Sequence, residues 1–115
     1  MLIDTKIYLA SPYSHEFKAI RQERFEAICK FSAKLIKEGY LVFSPIAHSH
    51  NICTIGNLPS DFNYWEKLDR SFIEWCDILV VLKLEGWQNS KGIEEEISTA
   101  KFLGKNVIYL EILES

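Results

Sequence analysis

The segment Asp77–Leu84, DILVVLKL, decides the fold. It is nearly continuously apolar and rich in β-branched side chains. Such a run reads as a central strand covered on both faces, the situation of a parallel sheet. Just upstream, from about Ser60, the residues Phe62, Trp65, Leu68, Phe72 and Trp75 fall at helical spacing. Just downstream, Ser90–Leu103 predicts a helix with Ile93, Ile97, Ala100 and Leu103 on one face and Gly104 ending it. Asn106–Leu110, NVIYL, follows as a strand.

The amino-terminal half repeats the alternation. Lys6–Ala10, KIYLA, is a short apolar run ending at Ser11-Pro12, where the proline stops strand pairing. Glu16 to Glu38 carries Phe17, Ile20, Ala27, Phe31 and Leu35 near the helical period, with Gly39 suited to the position after the helix. Tyr40–Ser44, YLVFS, is a second strand ended by Pro45. Residues 46–59 show no clear period and are expected to form a loop. Strands alternating with helices imply right-handed crossovers and a parallel sheet. Ligands of such sheets bind beyond the carboxyl ends of the strands. Three segments leave those ends: Ser11–His15, Pro45–His50 and Glu85–Gly92.

The 115 residues suit one domain, taken as 1–115. At 48% apolar and 25% charged the chain has the make-up of an ordinary globular protein, not of a disordered one. A net charge of −3 argues against a general nucleic-acid binder. It leaves room for one small anion held by local donors. No apolar run approaches the length of a membrane span. The amino-terminal MLIDTKIYLASPYS lacks the basic start and cleavage site of a signal peptide. Cys29, Cys53 and Cys76 are odd in number and widely spaced, suggesting neither zinc ribbon nor disulfide framework. A cytoplasmic, reduced setting is expected.

Several residues have the types and places that chemistry needs. Ser90, Lys91 and Gly92 open a helix after the central strand, where free backbone N–H groups and a hydroxyl can hold an anion. Of the three glutamates that follow, Glu94 and Glu95 read as complements to the helix dipole. Glu96 lies on the flank of the apolar face, close to the sheet, and can point into the crevice. Along the first strand, Tyr8 and Ala10 face one way and Ile7 and Leu9 the other, so Tyr8 fits core or crevice equally. Ser11 suits either plain turn chemistry or a phosphate or hydroxyl ligand. Asp69, one position off an apolar stripe, reads first as solvated, and Asp77 as a cap or turn residue. His48 and His50 form an H-x-H pair. In an extended segment both imidazoles would share one side, as in some metal sites. Only the remote Asp61 could add a ligand, so ligand-lining or structural roles are preferred.

Taken together, the strings YLASPYS, SPIAHSH and GWQNSKG resemble the nucleoside 2-deoxyribosyltransferase superfamily. The chain is similar to a small phage and bacterial branch of it, with the 2′-deoxynucleoside 5′-phosphate N-hydrolases as functional relatives. The resemblance runs through Tyr8 and Ser11, through Asp69 and Asp77, and through Ser90, Gly92, Glu96 and Ile97. It continues into AKFLGKNVI. It implies a flavodoxin-like α/β sandwich with a four-stranded parallel sheet of order 2-1-3-4. It implies cleavage of the N-glycosidic bond of a nucleoside or its 5′-monophosphate, by hydrolysis or base transfer. Glu96 would then act at the sugar C1′, Tyr8 would orient it and Asp69 would serve the base or the 5′ side. Ser11, Tyr13, His48, Trp87, Ser90 and Gly92 are the expected substrate-binding set. No metal or cofactor is called for. The partner is a small molecule, not nucleic acid or membrane.

Two departures shape further expectations. The phosphate-hydrolase branch follows its strand-one Ser with a basic residue, whereas Ser11 here is followed by Pro12-Tyr13 and no cation before Lys18. Only a modest preference for monophosphates is therefore expected. The chain also lacks the transferases' fifth strand, so a neighbouring subunit is expected to complete the pocket. Trp65, Phe72 and Trp75 cannot share one narrow helical stripe, which also points to a homodimer or higher oligomer. Two rival readings keep the fold: a non-catalytic nucleotide-binding module and an NAD-type glycohydrolase. A third makes Trp65, Trp75 and Trp87 a protein interface.

Overall fold

The structure is a computed structural model that describes residues 1–112. Strand β1 (Lys6–Ala10) leads into helix α1 (Lys18–Lys37) and strand β2 (Leu41–Phe43). Helices α2 (Pro45–Gly56) and α3 (Phe62–Trp75) precede strand β3 (Ile78–Leu82). A 3₁₀ turn at Trp87–Asn89, helix α4 (Lys91–Phe102) and strand β4 (Asn106–Leu110) follow. All neighbouring strands are parallel, in the order β2-β1-β3-β4. This is the parallel sheet that the alternation implied, in the three-layer α/β sandwich of order 2-1-3-4 that the resemblance implied.

The pleat of β1 divides the core. Tyr8 and Ala10 join Phe43, Ile73, Cys76, Leu79, Val81, Ile93 and Ala100 under α3 and α4. Ile7 and Leu9 join Val80, Leu82 and the α1 residues Ile28, Phe31 and Leu35 on the opposite face. β3 is buried on both sides from Leu79 to Leu82, as its unbroken apolar run requires. At the amino end of the sheet, Asp77 Oδ2 accepts the backbone N–H of Lys6 at 2.9 Å, tying the starts of β1 and β3 together. Among the described residues no helix is long and apolar enough to cross a membrane.

Three expectations need correction. Residues 46–59 are mostly helix, not loop, because α2 runs to Gly56. Ser44 caps it by accepting the Ala47 N–H at 3.0 Å, Pro45 occupies the first turn and Asn57 ends it in the left-handed conformation. Pro45 is the one buried residue of α2, so no apolar stripe announces the helix. On α1 the buried stripe passes through Ile28 instead of Ala27, and Phe17 stands exposed at the cap. Finally, two of the three aromatics taken as surplus on α3 are used within the chain. Phe72 stacks on Phe43 at 3.7 Å, and the Trp65 indole N–H donates to the Pro59 carbonyl at 2.8 Å.

Candidate active site

A cavity of about 720 Å³ opens beyond the carboxyl ends of β1 and β3. Adjacent central strands deliver its floor. β1 ends at Ala10, so Ser11 emerges directly into the cavity, and α4 starts beside it with Ser90, Lys91 and Gly92 on the wall. α2 and α3 supply the other side through Ser49, His50, Trp65 and Asp69.

Glu96 is almost fully buried, one turn into α4, and lines the cavity. The hydroxyl of the wholly buried Tyr8 donates to Glu96 Oε2. Helical geometry explains the choice among the three glutamates. Ile93 and Ala100 face the core, and Glu96 is the glutamate sharing that side, while Glu94 and Glu95 are exposed. Glu95 still reaches the cavity rim.

Burial pushes the Glu96 carboxyl up to about 8; the Tyr8 hydrogen bond opposes this and the charge of Asp69 adds to it. Burial likewise pushes Asp69 up to about 7. Tyr8 is raised too, first by burial and then by the negative charge of Glu96. Two carboxyls that influence each other titrate as a pair. Between about 7 and about 8 the pair holds roughly one proton, resting mainly on Glu96, with a minor tautomer that carries it on Asp69.

Two cavity groups are left unsatisfied. The Ser11 hydroxyl and Asp69 Oδ1 are buried without a hydrogen-bond partner among the described residues. Buried polar atoms normally find partners, so both are poised for a ligand. Asp69 is thus buried, not solvated as its place beside the apolar stripe suggested. Ser90 Oγ caps α4 by accepting the Ile93 N–H at 3.3 Å, and Gly92 follows in the first turn.

The structure also relocates several expected residues. His48 and His50 sit on α2, where two residues turn the helix by about 200°, so the imidazoles diverge. His48 is exposed, lies against Phe43 and Trp65, and does not line the cavity. His50 does line it: the ring stacks on Phe25 at 4.0 Å and Nδ1 meets the Tyr13 hydroxyl at 2.7 Å. Burial, then the charge of Arg21, lowers the His50 pKa. Trp87 packs on Tyr109 and the core, outside the cavity lining. Tyr13 lies on the lining.

Sequence reasoning missed Arg24 and Lys91 as cavity cations. Lys91 was legible as part of the helix start. Arg24 was not, because it comes from α1, whose packing lies on the other face of the sheet. Among the described residues no group of three or more His, Cys, Asp or Glu side chains could hold a metal ion.

The family model described as a domain of unknown function, DUF1937, matches residues 5–112. No curated protein matches the sequence. The 2-deoxyribosyltransferase from the psychrotolerant bacterium Bacillus psychrosaccharolyticus, described as a biocatalyst for nucleoside synthesis, is 26% identical with a TM-score of 0.65. That match covers 96% of this chain and 77% of the other. The 2-deoxyribosyltransferase from Leishmania mexicana is 16% identical with a TM-score of 0.56, over 93% of this chain and 64% of the other, and shares the fold. The chain therefore belongs to the DUF1937 family and has the 2-deoxyribosyltransferase fold.

Proposed function

We propose that the chain breaks the N-glycosidic bond of a deoxynucleoside or its 5′-monophosphate, passing the sugar to water or to a second base. The observation that carries this reading is the buried Glu96 carboxylate, held by Tyr8 at the floor of a cavity that also presents Asp69. The likeness to a nucleoside-making transferase supports the substrate class.

Breaking the bond builds positive charge on the sugar, and an adjacent carboxylate stabilises it or captures C1′. Tyr8 engages Oε2, which fixes the carboxyl group and directs Oε1 to the sugar. The departing base needs a proton, and Asp69 supplies it in the minor tautomer of the pair, in which the single proton sits on Asp69 and Glu96 is ionised. The Ser11 hydroxyl and the start of α4 take the 5′-hydroxyl or phosphate. Lys91 on the cavity wall makes the monophosphate a better substrate than the residues around Ser11 suggested.

The test is a panel of deoxynucleosides, ribonucleosides, their 5′-monophosphates and NAD, assayed for free base with and without an acceptor base. Base release from a deoxynucleoside or its monophosphate supports the reading. Nicotinamide release alone moves the activity to NAD cleavage. Release from none overturns the enzyme reading in favour of a nucleotide-binding module.

A further inference from the structure

Arg24 belongs to α1, which packs through Ile28, Phe31 and Leu35 on the face of the sheet opposite Tyr8. Its guanidinium nevertheless reaches round the end of the sheet to the cavity. There Nη1 donates to the Ser14 carbonyl at 2.8 Å and Nη2 donates to the Glu85 carbonyl at 3.1 Å. Ser14 lies in the connection after β1 and Glu85 in the connection after β3. Both connections line the cavity, one through Ser11, Pro12, Tyr13 and Ser14, the other through Gly86, Asn89 and Ser90.

One rigid planar group therefore joins the two loops. The fork holds its two acceptors at a set spacing, which a lysine ammonium on a flexible stem cannot do. The neighbouring backbone is built to admit it. Gly86 has φ +88, and a Cβ at that position would stand 3.0 Å from Arg24 Nη2. Any side chain there would be strained and would crowd the guanidinium. The first loop has further side-chain ties: Arg21 donates to the His15 carbonyl, and Tyr13 meets His50. Arg24 is the one of these that reaches the loop carrying the start of α4.

We propose that Arg24 is a positioning residue that latches loops 11–17 and 83–90 at the separation a bound nucleoside needs. The inference rests on the nucleoside reading of the cavity. Ser11 and the α4 start hold the 5′-hydroxyl or phosphate between them only when their loops are held together. Tyr8 on β1 and Glu96 on α4 are buried and bonded to each other, and they do not depend on the latch.

The experiment compares wild type, Arg24→Lys and Arg24→Ala, with deoxyadenosine and its 5′-monophosphate as probes, and follows amide exchange of both loops. Losing two charge-assisted hydrogen bonds is expected to raise KM by about 10-fold or more, with kcat within about 3-fold. Arg24→Lys keeps the charge and loses the fork, so it is expected to resemble Arg24→Ala. Amides of both loops should exchange faster together while the strands keep their protection. A wild-type KM in Arg24→Lys, or loosening of one loop without the other, overturns the latch. If wild type releases no base from these probes or from the other deoxynucleosides and their monophosphates, the nucleoside reading fails. In that case the exchange data alone still support or overturn the coupling of the loops.

Discussion

The hydroxyl of Tyr8, on the central strand β1, donates to Oε2 of Glu96, on α4, with both side chains buried. The pair joins sheet to helix at the point where the cavity meets the core. Tyr8 contributes its ring to the core cluster and its hydroxyl to the site, so one side chain does both jobs.

Glu96→Gln is expected to lower kcat by about 100-fold or more, as for removal of a direct transition-state contact. Glu94→Ala, on an exposed position of the same turn, should stay near wild type. Tyr8→Phe keeps the ring and frees the carboxylate, and about a 10-fold fall is expected from one lost charge-assisted bond. Steady-state rates of the three variants check the register. A dead Glu94→Ala with an active Glu96→Gln would place the chemistry elsewhere.

The pH profile should be a narrow bell. The pair of Asp69, near 7, and Glu96, near 8, is active with one proton and inactive with two or none. The maximum of kcat/KM is expected between about 7 and about 8. Asp69→Asn removes the second titration, so its residual activity should rise with pH and not fall again. A profile flat from pH 5 to 9 in wild type would contradict the acid–base assignment; rates across that range decide.

Stability should follow the same groups. The Glu96 carboxyl is raised when folded, so the folded state prefers the protonated form. Its contribution is fully present below the unfolded pKa of about 4.3 and is lost as pH rises through about 8. Glu96→Gln is isosteric, keeps an acceptor for Tyr8 and carries no charge. It is expected to match wild type near pH 4 and to exceed it by roughly 5 kcal/mol near pH 9. Thermal melts of both proteins across that range measure the difference.

Ser11→Ala separates binding from folding. The hydroxyl is buried without a partner among the described residues, so its removal leaves none of them unsatisfied, and Tm should hold or rise slightly. KM for the substrate should rise by about 10-fold, the worth of one good hydrogen bond to a ligand. A fall in Tm with unchanged KM would make Ser11 a structural residue, a contrast that melting and kinetics together resolve.

A homodimer remains the expected assembly, on different residues from those the sequence suggested. Phe72 and Trp65 are engaged within the chain, whereas Ile52 and Ile55, one turn apart on α2, are exposed together with Leu58 and Tyr64. Light scattering should give twice the chain mass at micromolar concentration, and Ile55→Lys should shift it towards one chain. One chain mass for wild type at every concentration would exclude the dimer.

The continuous run of β3, the period-2 alternation of β1 and the Gly after α1 are local signals. They determined the parallel α/β fold from sequence alone, because a strand's covering is written in its own residues. The register of Glu96 was equally legible, since its spacing from Ile93 and Ala100 sets its side of the helix. α2 escaped because it buries almost nothing, and a helix without an apolar stripe has no period to read. The misplacement of His48 follows from that one error, since a pair spaced by two shares a side in a strand and parts in a helix. Only the tertiary structure could bury Asp69, leave the Ser11 hydroxyl unpaired and carry Arg24 to two carbonyls across the cavity. Those facts depend on which loops and helices meet beyond the ends of β1 and β3, and contacts between residues far apart in the chain leave no local pattern.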